Sequence, residues 1–397
     1  MTPKPALLFY CQHSLGMGHL VRSFSLARAL AETFRVVVLN GGRLPDGIRV
    51  PDGVEIVQLP PLGMGTDGTL FSHDERYSVD EARALRGKAI LKAFSTVAPE
   101  VLLIELFPFG RKRFAEEIVA LLEAARRRGT DRPLTLCSLR DILVNRREKQ
   151  QRYDDRASGL VNRYFDGVFV HSDPRFARLD ESFHPRRPLI VPVYHTGFVL
   201  PVRRDVASGK RRTRVVVSAG GGIVGAPLFR AAVAAQRRLW EARRIPVTVI
   251  AGPFLPEEAW NELCDAAKTR PGLEIRRSVP DMAAEMCDAT VSVSQCGYNT
   301  AMDILHAGIS GLVVPFAEGC EDEQTNRARR LEKLGLVRVL DPERLDGKTL
   351  ANEIDATENF RPHEARLDLD GAGNTARLIG RLLATRRTTA PSVRRTA

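Results

Sequence analysis

Short apolar runs alternate with amphipathic stretches along almost the whole chain. Leu7–Cys11, Val36–Asn40, Val54–Leu59, Val101–Leu106, Leu134–Ser138, Val168–His171 and Leu189–Val193 are too short for helices, and each reads as a strand. Between them, Leu20–Ala31, 80–97 and 113–128 carry helical periodicity, and 60–80 is a loop rich in Gly, Thr and Asp. Strands without polar alternation suit a parallel sheet covered on both faces, so the series is βαβ. The pattern restarts after Pro201–Thr213, a polar, basic stretch containing Gly209 that reads as a linker. Arg214–Ser218, Val247–Ala251, Leu273–Arg276, Thr290–Val293, Gly311–Val314 and Leu336–Val339 form the second series, and a helical stretch, Gly373–Thr385, closes the chain. The predicted fold is α/β: two doubly wound parallel-sheet domains at 1–200 and 214–365, a linker at 201–213, a helix at 366–385 and a disordered tail at 386–397.

Composition narrows the class. With 397 residues, 44% hydrophobic and 27% charged, the chain is neither disordered nor collagen-like nor a disulfide scaffold. No apolar run reaches the roughly 20 residues that span a bilayer, and Ala6–Tyr10 is too short for the apolar core of a signal peptide. Six scattered cysteines show no zinc spacing, so reduced thiols in a cytoplasmic protein are expected. The net charge of +11 suggests nucleic acid, but its location argues otherwise. Segment 200–214 carries +5 and the tail 386–397 carries +4, and neither holds an aromatic residue for base stacking. A solvated linker and a frayed end are one reading. Attraction to phosphates, or peripheral contact with an anionic inner-membrane face, is the other.

Four segments carry candidate chemistry. Cys11 to Ser23 joins the first strand to the first helix, where open α/β sheets bind ligands. Gly16 and Gly18 allow a tight turn, His19 stands at the helix start and Arg22 follows one turn on. His19 reads as a cleft residue or as a helix cap, and His13 stays open between the same readings. Gly220, Gly221 and Gly222 end the first strand of the second series and form a candidate phosphate loop. Ser294, Gln295, Gly297, Asn299, Thr300 and Asp303 follow the strand at 290–293, with hydroxyls and N–H groups for a diphosphate and a carboxylate for ribose. Glu318, Glu321, Asp322, Glu323, Gln324 and Asn326 cluster after the strand at 311–314 and suit sugar hydroxyls. Glu105, Arg140 and Asp141 each follow a first-domain strand. Either acid is a candidate base or orients His19, and Glu105 alternatively pairs with Arg111 or Arg113.

Together these segments resemble glycosyltransferases of the two-domain GT-B architecture, nearest in style to the MurG type. The start FYCQH with GMGHLVRS and the run from Ser294 to Gly335, ending EQTNRARRLEKLG, carry the likeness. The resemblance implies two Rossmann-like domains facing a cleft, with the last helix crossing back to the first domain. It implies that Asp303 holds the ribose, where the family has Glu. It also implies that Glu323 and Gln324 hold the donor sugar, that Gly220–Gly222 touch the diphosphate and that His19 lies near the reacting centre. Glu323 replaces an amide and GMGH lacks the longer glycine string, so donor and acceptor are expected to differ.

The expected activity is hexosyl or N-acetylhexosaminyl transfer from a nucleotide-diphosphate sugar, a UDP-sugar foremost, to a hydroxyl acceptor. The transfer would be inverting, with no metal and no cofactor. Asp368-Leu369-Asp370 matches the DxD letters of metal-dependent transferases but lies beyond the second series. A nucleotide-sugar 2-epimerase or hydrolase on the same fold, and a non-catalytic binding module, are the rival readings.

Overall fold

The computed structural model describes residues 3–13, 18–45, 48–65, 68–144, 149–201, 212–317, 322–364 and 366–389. The first domain runs β1 (Ala6–Cys11), α1 (Gly18–Ala31), β2 (Arg35–Asn40), β3 (Val54–Gln58), β4 (Leu62–Met64), β5 (Leu70–Ser72), α2 (Val79–Val97), β6 (Val101–Glu105), α3 (Ala115–Arg126), β7 (Leu134–Arg140), α4 (Gln150–Tyr164), β8 (Gly167–His171) and β9 (Val193–His195). The second domain runs β10 (Val215–Ser218), α5 (Ala226–Arg243), β11 (Val247–Ile250), α6 (Glu257–Thr269), β12 (Leu273–Arg276), α7 (Met282–Cys287), β13 (Val291–Ser294), α8 (Tyr298–Ala307), β14 (Ser310–Val313), α9 (Glu323–Lys333), β15 (Arg338–Val339) and α10 (Gly347–Glu358). A last helix, α11 (Gly371–Thr389), follows.

Both main sheets are parallel, in the orders β3-β2-β1-β6-β7-β8-β9 and β12-β11-β10-β13-β14-β15. Burial on both faces explains the unbroken apolar runs. In β1, Leu8 and Tyr10 join one core cluster while Leu7, Phe9 and Cys11 join the other. Each sheet reverses its winding at its first strand, between β1 and β6 and between β10 and β13. Ligand crevices form at such switch points, beyond the carboxyl ends of the strands.

The last helix does cross back. Ala376, Ile379 and Leu383 of α11 pack with Leu20, Phe24 and Leu26 of α1. Its entry is pinned by Phe198 N–H donating to Asp368 O (2.7 Å) and Gly371 N–H to Phe198 O (2.9 Å). The DxD letters are used here. Asp368 accepts from Asn374 Nδ2 at 2.8 Å, and Asp370 pairs with Arg377 at 2.5 Å.

Three details differ from the sequence reading. The loop 60–80 contains the antiparallel β4–β5 hairpin. The strand expected at Leu189–Val193 pairs instead at Val193–His195, because Pro192 has no N–H for the ladder and serves only through its carbonyl, which accepts from Val168. Ile190 is left 79% exposed. The final helix extends to Thr389; the linker residues 202–211 and the tail 390–397 lie outside the described residues. Among the described residues, no helix is long and apolar enough to cross a membrane.

Candidate active site

The first-domain wall is built at the β1–β6 switch point. His19 is the second residue of α1 and Glu105 the last of β6. His19 Nδ1 lies 2.6 Å from Glu105 Oε1. An ionised carboxylate only accepts, so Nδ1 carries the proton and Nε2 is left as a bare acceptor. Arg22 Nη2, one turn along α1, reaches the same Glu105 oxygen at 2.5 Å. It also stands 3.3 Å from His19 Nδ1, but with protons on both nitrogens this is proximity, not a bond. Arg111 approaches the other oxygen at 3.4 Å.

Burial alone would push the fully buried Glu105 carboxyl up. His19, Arg111 and Arg22 outweigh it and hold the group well below the ordinary carboxylate range. Burial, with Arg111 next, pushes His19 down to about 3, against the pull of Glu105. The imidazole is therefore neutral at physiological pH, with 21% of its side chain exposed.

Arg22 departs from expectation. Its side chain is buried, tied to Glu105 and stacked 5.3 Å from the Tyr298 ring centre, so it balances the carboxylate instead of facing a ligand. Gly18 opens α1, and Gly16 lies outside the described residues.

The second-domain wall stands at the β10–β13 switch point. Helix α5 begins after Gly225 and α8 after Gly297; neither has a side-chain cap or an acid in its first turn. Helix α1 likewise has no acid in its first turn. Helices α4, α10 and α11 share this lack of an acid, whereas α2, α3, α6, α7 and α9 carry acids there; α5 and α8 are the uncapped, acid-free starts that stand at the switch point. Free N–H groups with an uncancelled dipole favour an anion.

The three loop glycines have separate duties. Gly222 (φ +91°) packs so tightly that a Cβ would sit 2.1 Å from Ala251 O, a structural requirement. Gly221 lies under Gly252, whose own Cβ would come within 2.4 Å of its carbonyl carbon. Gly220 (φ +58°) faces Thr300, and a would-be Cβ would make only an ordinary contact, 3.7 Å, with Thr300 Oγ1.

Gln295 Nε2 donates one of its two protons to Val224 O (3.0 Å), which braces the glycine loop and leaves the other N–H for donation. Gln324 Oε1 accepts from Cys296 N–H (2.9 Å) and Phe316 N–H (3.2 Å), which fixes its flip and leaves its NH2 for donation. Ser218 and Ser294, register partners at the strand ends, have buried hydroxyls without partners. Asp303 is half-buried, and burial, reinforced by Asp281, pushes its carboxyl up to about 8.

Tyr298 and Asn299 of α8 bind the first domain. Tyr298 Oη donates to His171 O (3.1 Å) and accepts from Val199 N–H (3.0 Å), and Asn299 Nδ2 donates to Gly18 O (3.1 Å). The start of α8 is thus held against the start of α1.

Beside it lies a buried charge network. Arg327 grips both oxygens of Asp141 at 2.7 Å and also reaches Glu323 Oε1 (2.6 Å) and Cys296 O (2.7 Å). Arg140 pairs with the other Glu323 oxygen. Two site expectations are corrected by this network. Asp141 is no free base, since both its oxygens are engaged and it is buried; Arg140 and Glu323 neutralise one another across the domains. Sequence reasoning passed over Arg327, although its place four residues after Glu323 on α9 was a usable sign. Glu318 and Glu321 lie outside the described residues.

Residues 215–376 match the glycosyltransferase family 28 C-terminal domain. A curated relative from Aromatoleum aromaticum, a UDP-N-acetylglucosamine--N-acetylmuramyl-(pentapeptide) pyrophosphoryl-undecaprenol N-acetylglucosamine transferase, is 28% identical over 167 residues, 39% of this chain and 45% of that protein. The chain thus spans less than half the length of that relative. Among solved structures, the calicheamicin glycosyltransferase CalG4 superposes with TM-score 0.58 at 17% identity, covering 97% of this chain and 95% of the other. MurG of Acinetobacter baumannii superposes with TM-score 0.54 at 14% identity, covering 95% and 100%. The chain has the two-domain GT-B fold, and residues 215–376 of it are similar to the glycosyltransferase family 28 C-terminal domain.

Proposed function

We propose that this chain is a glycosyltransferase that moves a sugar from a nucleoside-diphosphate sugar, a UDP-sugar foremost, to an acceptor hydroxyl. The observation that carries this reading is the pairing of two walls. A neutral His19, fixed by ionised Glu105, stands at one switch point, and the uncapped, acid-free starts of α5 and α8 stand at the other. The UDP-sugar in the name of the Aromatoleum relative supports the choice of donor.

In this mechanism the diphosphate lies on the N–H groups of α5 and α8 and on the Gly220 loop, so its charge is met without a metal ion. Asp303 receives the ribose hydroxyls, and the Gln324 NH2 receives a sugar hydroxyl. The acceptor oxygen attacks the anomeric carbon from the first-domain side. His19 Nε2 takes its proton as the new C–O bond forms. The bond from the anomeric carbon to the phosphate oxygen breaks, and its electron pair leaves with the nucleoside diphosphate. Attack opposite the leaving group inverts the anomeric centre. Glu105 stays ionised and stabilises the imidazolium. The work would be done in the cytoplasm, at the inner membrane face where the acceptor is a lipid.

Isothermal titration with UDP, followed by UDP release from a panel of UDP-sugars with and without acceptor mixtures, tests the reading. UDP binding with acceptor-dependent release supports transfer. Release independent of acceptor points to a hydrolase, and no nucleotide binding defeats the proposal.

A further inference from the structure

Two cations stand on one anion in the first-domain wall. Arg22 reaches Glu105 Oε1 at 2.5 Å and already balances its charge. Arg111 meets the other oxygen only at 3.4 Å, although its side chain is 10% exposed. Its Nε–H is buried with no acceptor. A guanidinium carries five donors, and a nearly buried one with a single loose bond and a surplus charge is unfavourable until an anion completes it.

The backbone around Arg111 is also held away from its ordinary states. Leu106 (φ 64°) and Arg111 (φ 59°) are both left-handed, and they bracket the loop that leaves β6. Such strain persists where surrounding structure imposes it, and it clusters at ligand sites. One strand over, His13 follows β1. It is 5% exposed, and its Nε2 is buried without a partner. The ring is packed so closely on the loop after β2 that a Cβ on Gly42 would come within 2.6 Å of it, so its direction is fixed. Burial first, and the Arg111 charge second, hold the His13 imidazole down at about 4, so it stays neutral at physiological pH.

We propose that Arg111, with His13 one strand away, forms an acceptor-side subsite for an oxyanion, a carboxylate or phosphoryl group carried by the acceptor near its reacting hydroxyl. The acceptor assignment rests on the glycosyl-transfer reading; the anion site itself does not. Arg111 is a specificity residue here: an acceptor lacking the anion leaves the nearly buried cation with only its long 3.4 Å pairing to Glu105 and is disfavoured for that reason.

Phenyl phosphate and benzoate are the probes, titrated into the full chain and read by calorimetry and by the side-chain nitrogen resonances of His13 and His19. The wild type, Arg111→Gln and Arg111→Lys are compared, and UDP is titrated into each separately. Saturable binding that moves both histidines is expected, weakened roughly 10- to 100-fold in Arg111→Gln, with UDP affinity unchanged. The tighter probe distinguishes a phosphoryl from a carboxylate acceptor. Arg111→Lys keeps the charge but loses the fork, so it weakens the tighter probe even where Arg111→Gln fails to fold. Three results overturn the proposal: no probe binding to the wild type, unchanged affinity in both variants, or an equal loss of UDP affinity, which would move Arg111 to the donor. Failure of UDP to bind the wild type defeats the transferase reading while leaving the anion result intact.

Discussion

Asp141 and Arg327 meet across the two domains through two hydrogen bonds of 2.7 Å, both side chains almost wholly buried. Arg327 is also shared with Glu323, which Arg140 reaches from the first domain. A fork against a carboxylate fixes distance and angle together, so this network sets how the second-domain wall faces the first-domain wall.

Removing the cation should be severe. Arg327→Met leaves two buried carboxylates short of a partner, which costs about 3–5 kcal/mol. Urea unfolding should show it as a lowered midpoint. The double variant Arg327→Met with Asp141→Leu should recover a large part, because it removes both buried charges.

The glycine loop separates structure from binding. Gly222→Ala drives a methyl into Ala251 O and should lower the melting temperature strongly. Gly220→Ala has room for the methyl but keeps a left-handed φ, a strain of about 1–2 kcal/mol. It should fold yet bind UDP more weakly, because the methyl points into the space before Thr300. Equal UDP affinity in wild type and Gly220→Ala would remove the loop from the donor site.

Asp303 gives a pH signature. Its folded carboxyl sits at about 8 against an ordinary 3.8, because burial disfavours the charge. The unfolded chain then releases this proton at lower pH than the folded one. Wild-type stability relative to Asp303→Asn should therefore fall as pH rises from about 4 to about 8. Thermal melts of both proteins across that window check the sign. Asp303→Ala should also weaken UDP binding by roughly tenfold or more through a lost ribose hydrogen bond.

The base has its own profile. In the proposed mechanism His19 works unprotonated, and its environment pushes it down to about 3. Activity should stay level as pH falls from 8 through 6.5 and drop only below about 5, where an ordinary histidine base would already have lost most of its function. Far-UV circular dichroism on the same samples separates titration from unfolding.

Much of this was legible in the chain. Short strands dominated by apolar residues in β1, β6 and β10, with only small Ser, Thr or Cys between the Leu and Val residues of β7 and β13, announce two-sided burial, and the residues at and just after their ends were the natural places for chemistry. His19 and Glu105 were named from those positions alone. Their contact, spanning 86 residues, required the sheet order that sets β1 beside β6. Asp141 and Glu323 were misread for a related reason: local sequence cannot show that Arg327, in the charged run EQTNRARRLEK, is fully buried between them. The duties of Gly221 and Gly222 were hidden too, because they depend on the neighbouring Ala251–Gly252 backbone, which reaches the loop only after β11 pairs with β10.

The most direct test compares turnover with donor affinity in His19→Ala. Proton transfer by a general base contributes about 10²–10⁴ to rate, while the proposed mechanism puts the nucleotide on the other domain. Nucleoside diphosphate release should fall by about that factor, with UDP affinity and melting temperature close to wild type. Glu105→Gln, which removes the charge that stabilises the imidazolium, should fall in the same direction. Near-wild-type release from a stably folded His19→Ala protein would contradict the assignment of His19 as the base.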